Sequence, residues 1–174
     1  AMIQELCPDA QEVGILYCSA EPNSKYQADV VAEELTKLGL TSTVYTFVDT
    51  NDVQLVTQNA VDNSDVIYIP TDNTAASNTT AINNIAEPAG VPIIAGEEGI
   101  CKGCGVATLS ISYYDLGRRT GEMAYDILVN GADPATMEIA YASDLTKKAV
   151  MERAEALNIT IPEDYEAIVL DSEE

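Results

Sequence analysis

The chain has 174 residues, with 29 acidic and 8 basic side chains and no histidine, so its net charge at pH 7 is −21. This length predicts a single domain, and a hydrophobic content of 47% is typical of a folded chain. Because the negative charge repels phosphates, we expect no nucleic-acid partner. Without histidine the chain cannot build a Ser-His-Asp or Cys-His site, and we expect no catalytic residues, no metal ion and no cofactor.

Five short runs of apolar, β-branched or aromatic residues predict strands, and the first of them suits a strand that is buried on both faces of a parallel sheet. The runs span residues 13–18, 42–48, 66–70, 91–95 and 107–111. Because stretches with helical periodicity separate most of these runs, the strands should be parallel and joined by right-handed crossovers. We therefore predict an α/β fold, a three-layer doubly wound sandwich around a mainly parallel, five- to six-stranded sheet.

Four helices are predicted from apolar residues spaced three and four apart. Their apolar stripes consist of Ala28, Val31, Leu35 and Leu38; of Val53, Val56 and Ala60; of Ala75, Thr79, Ile82 and Ala86; and of Leu116, Thr120, Met123 and Ile127. Asn23 or Ser24 is expected to cap the first helix, and residues 71–74 to cap the third. A loop is predicted between the fourth and the fifth strand.

The periodicity weakens after Gly131. Residues 137–140 are compatible with one more strand, and the spacing of apolar residues over 144–157 predicts a helix. The tail, residues 162–174, is mainly acidic.

Polar side chains follow the predicted strands at the points where the strands end. The candidate ligand-binding residues are Ser19, Glu21, Asn23, Ser24, Thr71, Asp72, Asn73, Thr74, Glu97, Glu98, Tyr113 and Asp115. The carboxyl ends of parallel strands meet at one edge of a sheet, which is where such folds bind ligands. Helix N-termini there can attract a carboxylate, and Asp72, Glu97 and Glu98 can attract an ammonium group. A site that offers both suits a zwitterion such as an amino acid.

Each of these residues also has a purely structural interpretation. The loops 21–24 and 71–74 can serve as helix caps only, and the pair 97–98 can be a solvated acidic pair. The tyrosines at 113–114 can stack on an aromatic ligand or pack in the core or hinge, and packing is favoured. Asp115 is favoured as the cap of the last helix.

Cys101 and Cys104 form a Cys-x-x-Cys motif, which occurs in redox and zinc sites. Redox reactivity favours such a pair at a helix N-terminus, whereas this pair is predicted in a glycine-rich loop. A zinc site needs about four ligands, and Cys7 and Cys18 are distant in sequence. A structural disulfide and two free thiols therefore remain as the alternatives.

Three blocks of sequence indicate a family relationship. They span residues 68–77, 91–99 and 107–117, with supporting residues at 13–17 and 131–134. In residues and spacing they resemble the ABC-transporter substrate-binding proteins of the tryptophan/tyrosine type, over about residues 3–160. The resemblance is specific because no single short motif carries it.

The resemblance implies one lobe of a type I periplasmic-binding-protein-like fold, in which two α/β lobes close over a small ligand. It implies solute binding instead of catalysis, with an amino acid, preferably aromatic, as the ligand. An ABC permease and the amino-terminal lobe of the same protein are the expected partners, because the chain resembles the carboxyl-terminal lobe only. The expected location is extracytoplasmic, as a cell-surface lipoprotein or a periplasmic protein whose anchor is outside this sequence.

On this basis we divide the chain into three parts. Residues 1–10 are the end of a preceding helix at the hinge-side entry, 11–135 the α/β ligand-binding lobe, and 136–174 the C-terminal strand, helix and acidic tail. The middle part contains all twelve candidate site residues.

Two other classes of protein share the doubly wound topology and remain as alternatives. A signalling receiver domain needs an Asp pair after the first strand and a Lys on the fifth, where this chain has residues 18–19 and 110–112 without them. A flavodoxin-like electron carrier needs a Ser/Thr-rich phosphate loop, where this chain has Glu21 and Pro22.

Overall fold

The computed structural model describes residues 1–142 and 144–170, so the end of the predicted acidic tail lies outside the described residues. Its strands are β1 (Glu12–Cys18), β2 (Thr41–Phe47), β3 (Val66–Ile69), β4 (Ile93–Ala95), β5 (Ala107–Ile111), β6 (Leu145–Ala149) and β7 (Glu166–Ala167). Its helices are α1 (Met2–Leu6), α2 (Pro22–Lys37), α3 (Val53–Asp62), α4 (Asn73–Ala76), α5 (Thr79–Ala86), α6 (Glu98–Cys104), α7 (Tyr113–Leu128) and α8 (Met151–Ala156). Among these residues no helix is long and apolar enough to cross a membrane.

The strands form one sheet in the order β2-β1-β3-β4-β5-β6-β7. β1 to β5 are parallel to one another, β6 is antiparallel to β5, and β7 is parallel to β6. The predicted α/β fold with a doubly wound, mainly parallel sheet is confirmed. The sheet has seven strands instead of five to six, because β6 and β7 extend it beyond β5.

β6 occupies residues for which we predicted a helix. The predicted helix over 144–157 is wrong in its first half, and only α8 remains helical. Lys147 and Lys148 alternate between the two faces of the sheet, where each forms an ion pair. Pairing with all five residues of β5 stabilises the strand, and a partner this distant cannot be read from periodicity within the segment.

Three other predicted elements need correction. Residues 137–140 lie outside the strands of the described chain. The helix predicted from Ala75 to Ala86 is interrupted between α4 and α5, where Asn78 Nδ2 donates to the carbonyl oxygen of Thr74 at 2.7 Å and competes with the helical hydrogen bonds. The loop predicted between β4 and β5 contains α6, whose glycines concealed it because glycine disfavours helix.

The caps of two helices also differ from the predictions. α2 begins at Pro22, which suits the first helical position, so Asn23 and Ser24 lie in its first turn instead of capping it. α7 is capped by Ser112, whose hydroxyl accepts the backbone N–H of Asp115 at 3.1 Å. Asp115 is therefore not the cap but a first-turn residue, where its charge favours the helix dipole.

Two apolar clusters pack on opposite faces of the sheet. One lies under α3 to α6 and includes Phe47, Ile67 and Ile82. The other lies under α1 and α2 and includes Ile15 and Leu35. Alternate residues of the central strands contribute to both clusters, which explains why these strands are continuous apolar runs in the sequence.

Residues 112–142, which connect β5 to β6, have no packed core, and we call this segment the arm. It contains the predicted helix α7, but none of its residues is buried. Its exposed large side chains are Tyr113, Tyr114, Tyr125, Leu128, Val129, Ile139 and Tyr141. We call the rest of the described chain, residues 1–111 and 144–170, the lobe. The described chain covers the apolar face of α7 only in part.

Candidate functional site

Two adjacent depressions lie at the edge of the sheet where the parallel strands end. The inner depression has a volume of about 270 Å³, and its lining includes Thr71, Asp72, Asn73, Glu97, Gly99 and Tyr113. The outer depression has a volume of about 280 Å³, and its lining includes Glu98, Ser110, Ser112, Tyr113, Thr146 and Lys148. Because Tyr113 lines both, the two depressions are neighbours.

A larger cavity, of about 630 Å³, lies at the opposite edge of the sheet. Asp65, directly before β3, and Pro92, directly before β4, contribute to its lining. The backbone N–H groups of Glu12 and Gln11 donate to Asp65 and lower the pKa of that carboxyl. The Asp65 carboxylate therefore stabilises the backbone at the start of β1. Sheets of this class bind ligands at the carboxyl edge, so the inner and outer depressions are the candidate ligand site.

Glu21 joins the loop after β1 to the amino end of α4. Its Oε1 accepts from the backbone N and Oγ1 of Thr74, at 2.8 and 2.9 Å, and its Oε2 from the backbone N and Nδ2 of Asn73, at 3.0 and 2.9 Å. Burial alone would raise the pKa of Glu21, but these four hydrogen bonds outweigh it and lower the pKa to about 2. The Glu21 carboxylate is thus ionised and fixes α4.

Asp72 caps α4 from within the loop, as predicted for residues 71–74. Its Oδ1 accepts the backbone N–H of Ala75 at 2.7 Å, and its Oδ2 accepts that of Cys18 at 2.8 Å. Asp72 is only 2% exposed. It therefore ties α4 to the end of β1 and does not offer the accessible phosphoacceptor that a receiver domain needs.

Glu97 caps α6 in the same way. Its carboxylate accepts the backbone N–H of Gly99 at 2.8 Å and that of Ile100. Glu97 stays partly exposed where it lines the inner depression. Burial and the nearby charge of Glu97 raise the pKa of Tyr113, which also lines that depression.

These caps change where a ligand carboxylate can bind. The backbone N–H groups of Asn73, Thr74, Ala75, Gly99 and Ile100 already donate to carboxylates of the protein. We expected the N-termini of these helices to attract the carboxylate of a ligand. At α4 and α6, however, a second carboxylate would meet negative charge and donors that are already in use.

The backbone of Thr71 is held by side chains of α2. Nδ2 of Asn23 and Oγ of Ser24 donate to its carbonyl oxygen at 3.0 and 3.2 Å, and Oε1 of Gln27 accepts its N–H at 3.1 Å. A Cβ at Gly96 would lie 2.8 Å from the peptide bond that precedes Thr71, so the two loops can meet only at a glycine. Asn23 and Ser24 therefore position the inner depression.

Six of the twelve predicted site residues line neither depression: Ser19, Glu21, Asn23, Ser24, Thr74 and Asp115. The hydroxyl of Ser19 donates to the carbonyl oxygen of Phe47 at 3.3 Å and so connects the ends of β1 and β2. Asp115 lies on the arm, where it lines a different depression with Arg118 and Arg119. The predicted residues that the structure brings together are Thr71, Asp72, Asn73, Glu97 and Tyr113 at the inner depression and Glu98 beside Tyr113 at the outer one.

Six lining residues of the outer depression are not among the predicted site residues: Ser110, Ile111, Ser112, Tyr114, Thr146 and Lys148. Ser110 is on β5, while Thr146 and Lys148 are on β6, which we had predicted as helix. The available signal was the adjacent pair Lys147 and Lys148 in a chain with only 8 basic residues. In a strand, adjacent side chains point to opposite faces of the sheet. Once residues 145–149 are a strand, one of the two lysines must therefore face this side of the sheet.

Cys101 and Cys104 lie on α6 instead of in the predicted loop. Both are buried free thiols, which is one of the two alternatives left open by the sequence. Burial raises the pKa of each thiol to about 12, so both are protonated at neutral pH and lack the thiolate that redox exchange requires.

The structure is an α/β lobe with two adjacent depressions at the carboxyl edge of its parallel strands. The family described as ABC transporter substrate binding protein matches residues 1–169, and the chain belongs to this family. The resemblance found in the sequence is thereby confirmed.

The chain is also similar to individual proteins of known name. A tyrosine-binding protein of Clostridioides difficile (strain R20291) is 30% identical over 165 residues, which cover 91% of this chain and 48% of the relative. The chain therefore spans about half the length of this curated relative.

The chain is also similar in fold to solved structures. The ABC domain in complex with L-Trp from Streptococcus pneumonia matches with a TM-score of 0.89 at 29% identity, covering 97% of this chain and 58% of that one. A ligand-free, open substrate-binding protein with adhesive properties from Clostridium difficile has a TM-score of 0.78 at 31% identity, covering 98% and 58%. A conserved domain protein from Vibrio cholerae has a TM-score of 0.88 at 28% identity, covering 95% and 57%.

Proposed function

We propose that the chain is the carboxyl-terminal ligand-binding lobe of an ABC importer's solute-binding protein. It binds an aromatic amino acid at the inner and outer depressions and delivers it to a membrane permease. Family membership supports the solute-binding role, and relatives named for tyrosine binding and solved with L-Trp support the aromatic ligand. The observation that carries the proposal is the pair of adjacent depressions at the carboxyl edge, with carboxylates and a tyrosine in their lining.

The lining suits an amino acid with a ring. Glu97 and Glu98 border the depressions and attract an ammonium group. Tyr113 is 53% exposed between them and offers a ring face for stacking. Thr71 and Asn73 supply small polar groups, so these five residues are our proposed ligand contacts.

The other predicted residues have a supporting role in this proposal. Glu21, Asp72, Asn23 and Ser24 hydrogen-bond to loops or helix ends and hold the contact residues in place. Binding and release need no reacting group, so we propose no catalysis. Because an importer collects its solute outside the cell, we also propose an extracytoplasmic location, with a lipid anchor or periplasmic retention supplied by other parts of the protein.

A second lobe completes the site in this proposal. A single lobe leaves Tyr113 and the apolar residues of the arm exposed, and the matched relatives are longer than this chain. We propose that the arm packs on the second lobe, which would cover the apolar face of α7 and close over the ligand.

Isothermal titration of L-Trp, L-Tyr and L-Phe into the 174-residue chain and into the full-length two-lobed protein tests this function. We expect micromolar or tighter binding to the two-lobed protein, and weak binding to the lobe because it supplies only part of the contacts. Glucose and L-Asp serve as ligand controls. If the two-lobed protein binds none of the three aromatic amino acids, the proposed ligand class is wrong.

A further inference from the structure

An amino acid ligand needs a hydrogen-bond donor for its carboxylate. The free N–H groups of a helix N-terminus could supply it, but at α4 and α6 the capping carboxylates already accept these groups. The N–H groups at both helix ends already donate to Glu21, Asp72 and Glu97. A ligand carboxylate placed there would be repelled by these charges. The donor must therefore come from elsewhere along the same edge of the sheet.

Lys148 is the basic group in position to supply that donor. Among the described residues that line the inner and outer depressions, it is the only Lys or Arg. Its side chain is 23% exposed, and its Nζ lies 2.7 Å from Oε2 of Glu98. An ammonium group carries three N–H donors, so the pair with Glu98 holds Lys148 in place and leaves donors for a ligand.

The strand surface beneath Lys148 is polar. Ser110 is 2% exposed and lines the outer depression, and Thr146 is its partner across β5 and β6. Thr108, the partner of Lys148 across the same strands, is fully buried, and its Oγ1 has no hydrogen-bond partner within the described chain. Ser110 and Thr146 thus give the outer depression a polar floor beside Lys148, which suits a charged or polar group of a ligand.

We infer that Lys148 binds the carboxylate of the amino acid ligand and that Glu98 binds its ammonium group. This inference rests on the proposed function, and it names the pair of residues that recognises the zwitterion. The Lys148–Glu98 ion pair is itself a positive and a negative group side by side, so it complements a ligand that carries the opposite charges in the same spacing. The side chain of the ligand then lies against Tyr113, which borders both depressions.

The test compares L-Trp with tryptamine, which lacks the carboxylate, in the full-length two-lobed protein by isothermal titration. In the wild type we expect L-Trp to bind about 10- to 100-fold more tightly than tryptamine, as a charge-assisted hydrogen bond predicts. In Lys148→Gln we expect L-Trp to weaken about 10- to 100-fold and the preference over tryptamine to disappear. Lys148→Arg should retain most of the preference because it keeps the charge.

Lys147→Gln is the matched control. Lys147 is the next residue on β6 and undergoes the same change of charge, but its ion pairs are with Glu5 and Asp164 on the opposite face. We expect unchanged affinity for L-Trp in this variant. A loss of affinity equal to that of Lys148→Gln would mean that net charge, not the site, is responsible, and would overturn the inference.

Two further outcomes would overturn it, and neither depends on a variant that folds poorly. Equal affinity of the wild type for L-Trp and tryptamine would show that the carboxylate is not recognised. Indole-3-propionate has the carboxylate but lacks the ammonium group. If the wild type binds it as tightly as L-Trp, Glu98 does not recognise the ammonium group. Both results leave the proposed function intact, whereas a wild type that binds no aromatic amino acid rejects the function itself.

Discussion

The lobe and the arm use their apolar residues in different ways. In the lobe, Ile15, Phe47 and Ile67 are completely buried within the two clusters on the sheet. In the arm, Leu128 is 83% exposed and Tyr141 82% exposed, and no residue of the predicted apolar stripe of α7 is buried. An amphipathic pattern thus indicates that one face of a helix will be covered, but it does not indicate which surface covers it.

The largest difference should appear when a large apolar side chain is removed from each region. Phe47→Ala leaves a cavity in the core, and we expect it to lower the free energy of unfolding by about 3–5 kcal/mol. Leu128→Ala removes an exposed side chain from the arm, and we expect a change within about 0.5 kcal/mol. Urea unfolding of the 174-residue chain, followed by circular dichroism, measures both values.

The same pair of variants tests the proposed second lobe. In the two-lobed protein we expect Leu128→Ala to become destabilising, because the arm is then packed. If Leu128→Ala is as costly as Phe47→Ala in the 174-residue chain alone, the distinction between lobe and arm is wrong.

Two arginines provide a second comparison. The side chain of Arg153 is 8% exposed, and its guanidinium donates to the carbonyl oxygens of Cys101, at 3.1 Å, and of Gly105, at the end of α6. Arg153→Met removes these donors, so the carbonyl oxygen of Cys101 keeps only the N–H of Gly105 and that of Gly105 loses its guanidinium partner, and we expect a loss of about 2–4 kcal/mol. On the arm, the side chain of Arg118 is 68% exposed and lies 3.7 Å from Glu122, so Arg118→Met should cost less than about 0.5 kcal/mol.

Thermal unfolding of the two arginine variants, at equal ionic strength, measures the difference. Equal losses for the two variants would contradict the role assigned to Arg153, because both substitutions remove the same charge. A loss for Arg153→Met that disappears in high salt would point to a surface ion pair with Glu87 instead of a helix cap.

Most of the lobe could be predicted from the sequence because its signals are local. The runs at 13–18 and 66–70 contain their own evidence of burial, and polar residues mark where each strand ends. β6 could not be predicted, because residues 145–149 become a strand only by pairing with β5, across the whole arm. The break between α4 and α5 also escaped, since it depends on one side chain, that of Asn78.

The site was predicted in outline but not in its chemistry. Sequence position placed Asp72 and Glu97 at the correct edge of the sheet, because strand ends are visible in the sequence. It could not show that both carboxylates accept backbone N–H groups, since a cap and a ligand contact have the same residue type and position. Lys148 was missed for the same reason as β6.

A third comparison, with a smaller expected loss than Phe47→Ala or Arg153→Met, concerns pH and the loop that Glu21 holds. The folded pKa of Glu21 is about 2, below its ordinary value of 4.5, so the carboxylate stabilises the folded lobe at any pH above about 4.5. As the pH falls from 4.5 toward 2 the carboxylate becomes protonated in the unfolded chain first, and this stabilisation is lost. After allowance for solvent screening, we expect Glu21→Gln to cost about 1–2 kcal/mol at pH 7.

Urea unfolding of the wild type and Glu21→Gln at several pH values measures this loss. The difference between the two proteins should shrink as the pH is lowered from 5 to 2.5, whereas Glu122→Gln, the same substitution on the arm, should change little at any pH. A difference that stays constant over this range would mean that the hydrogen bonds of Asn73 and Thr74 do not depend on the charge of Glu21. In that case the loop after β1 is held by packing, and the electrostatic connection between β1 and α4 contributes little to the lobe.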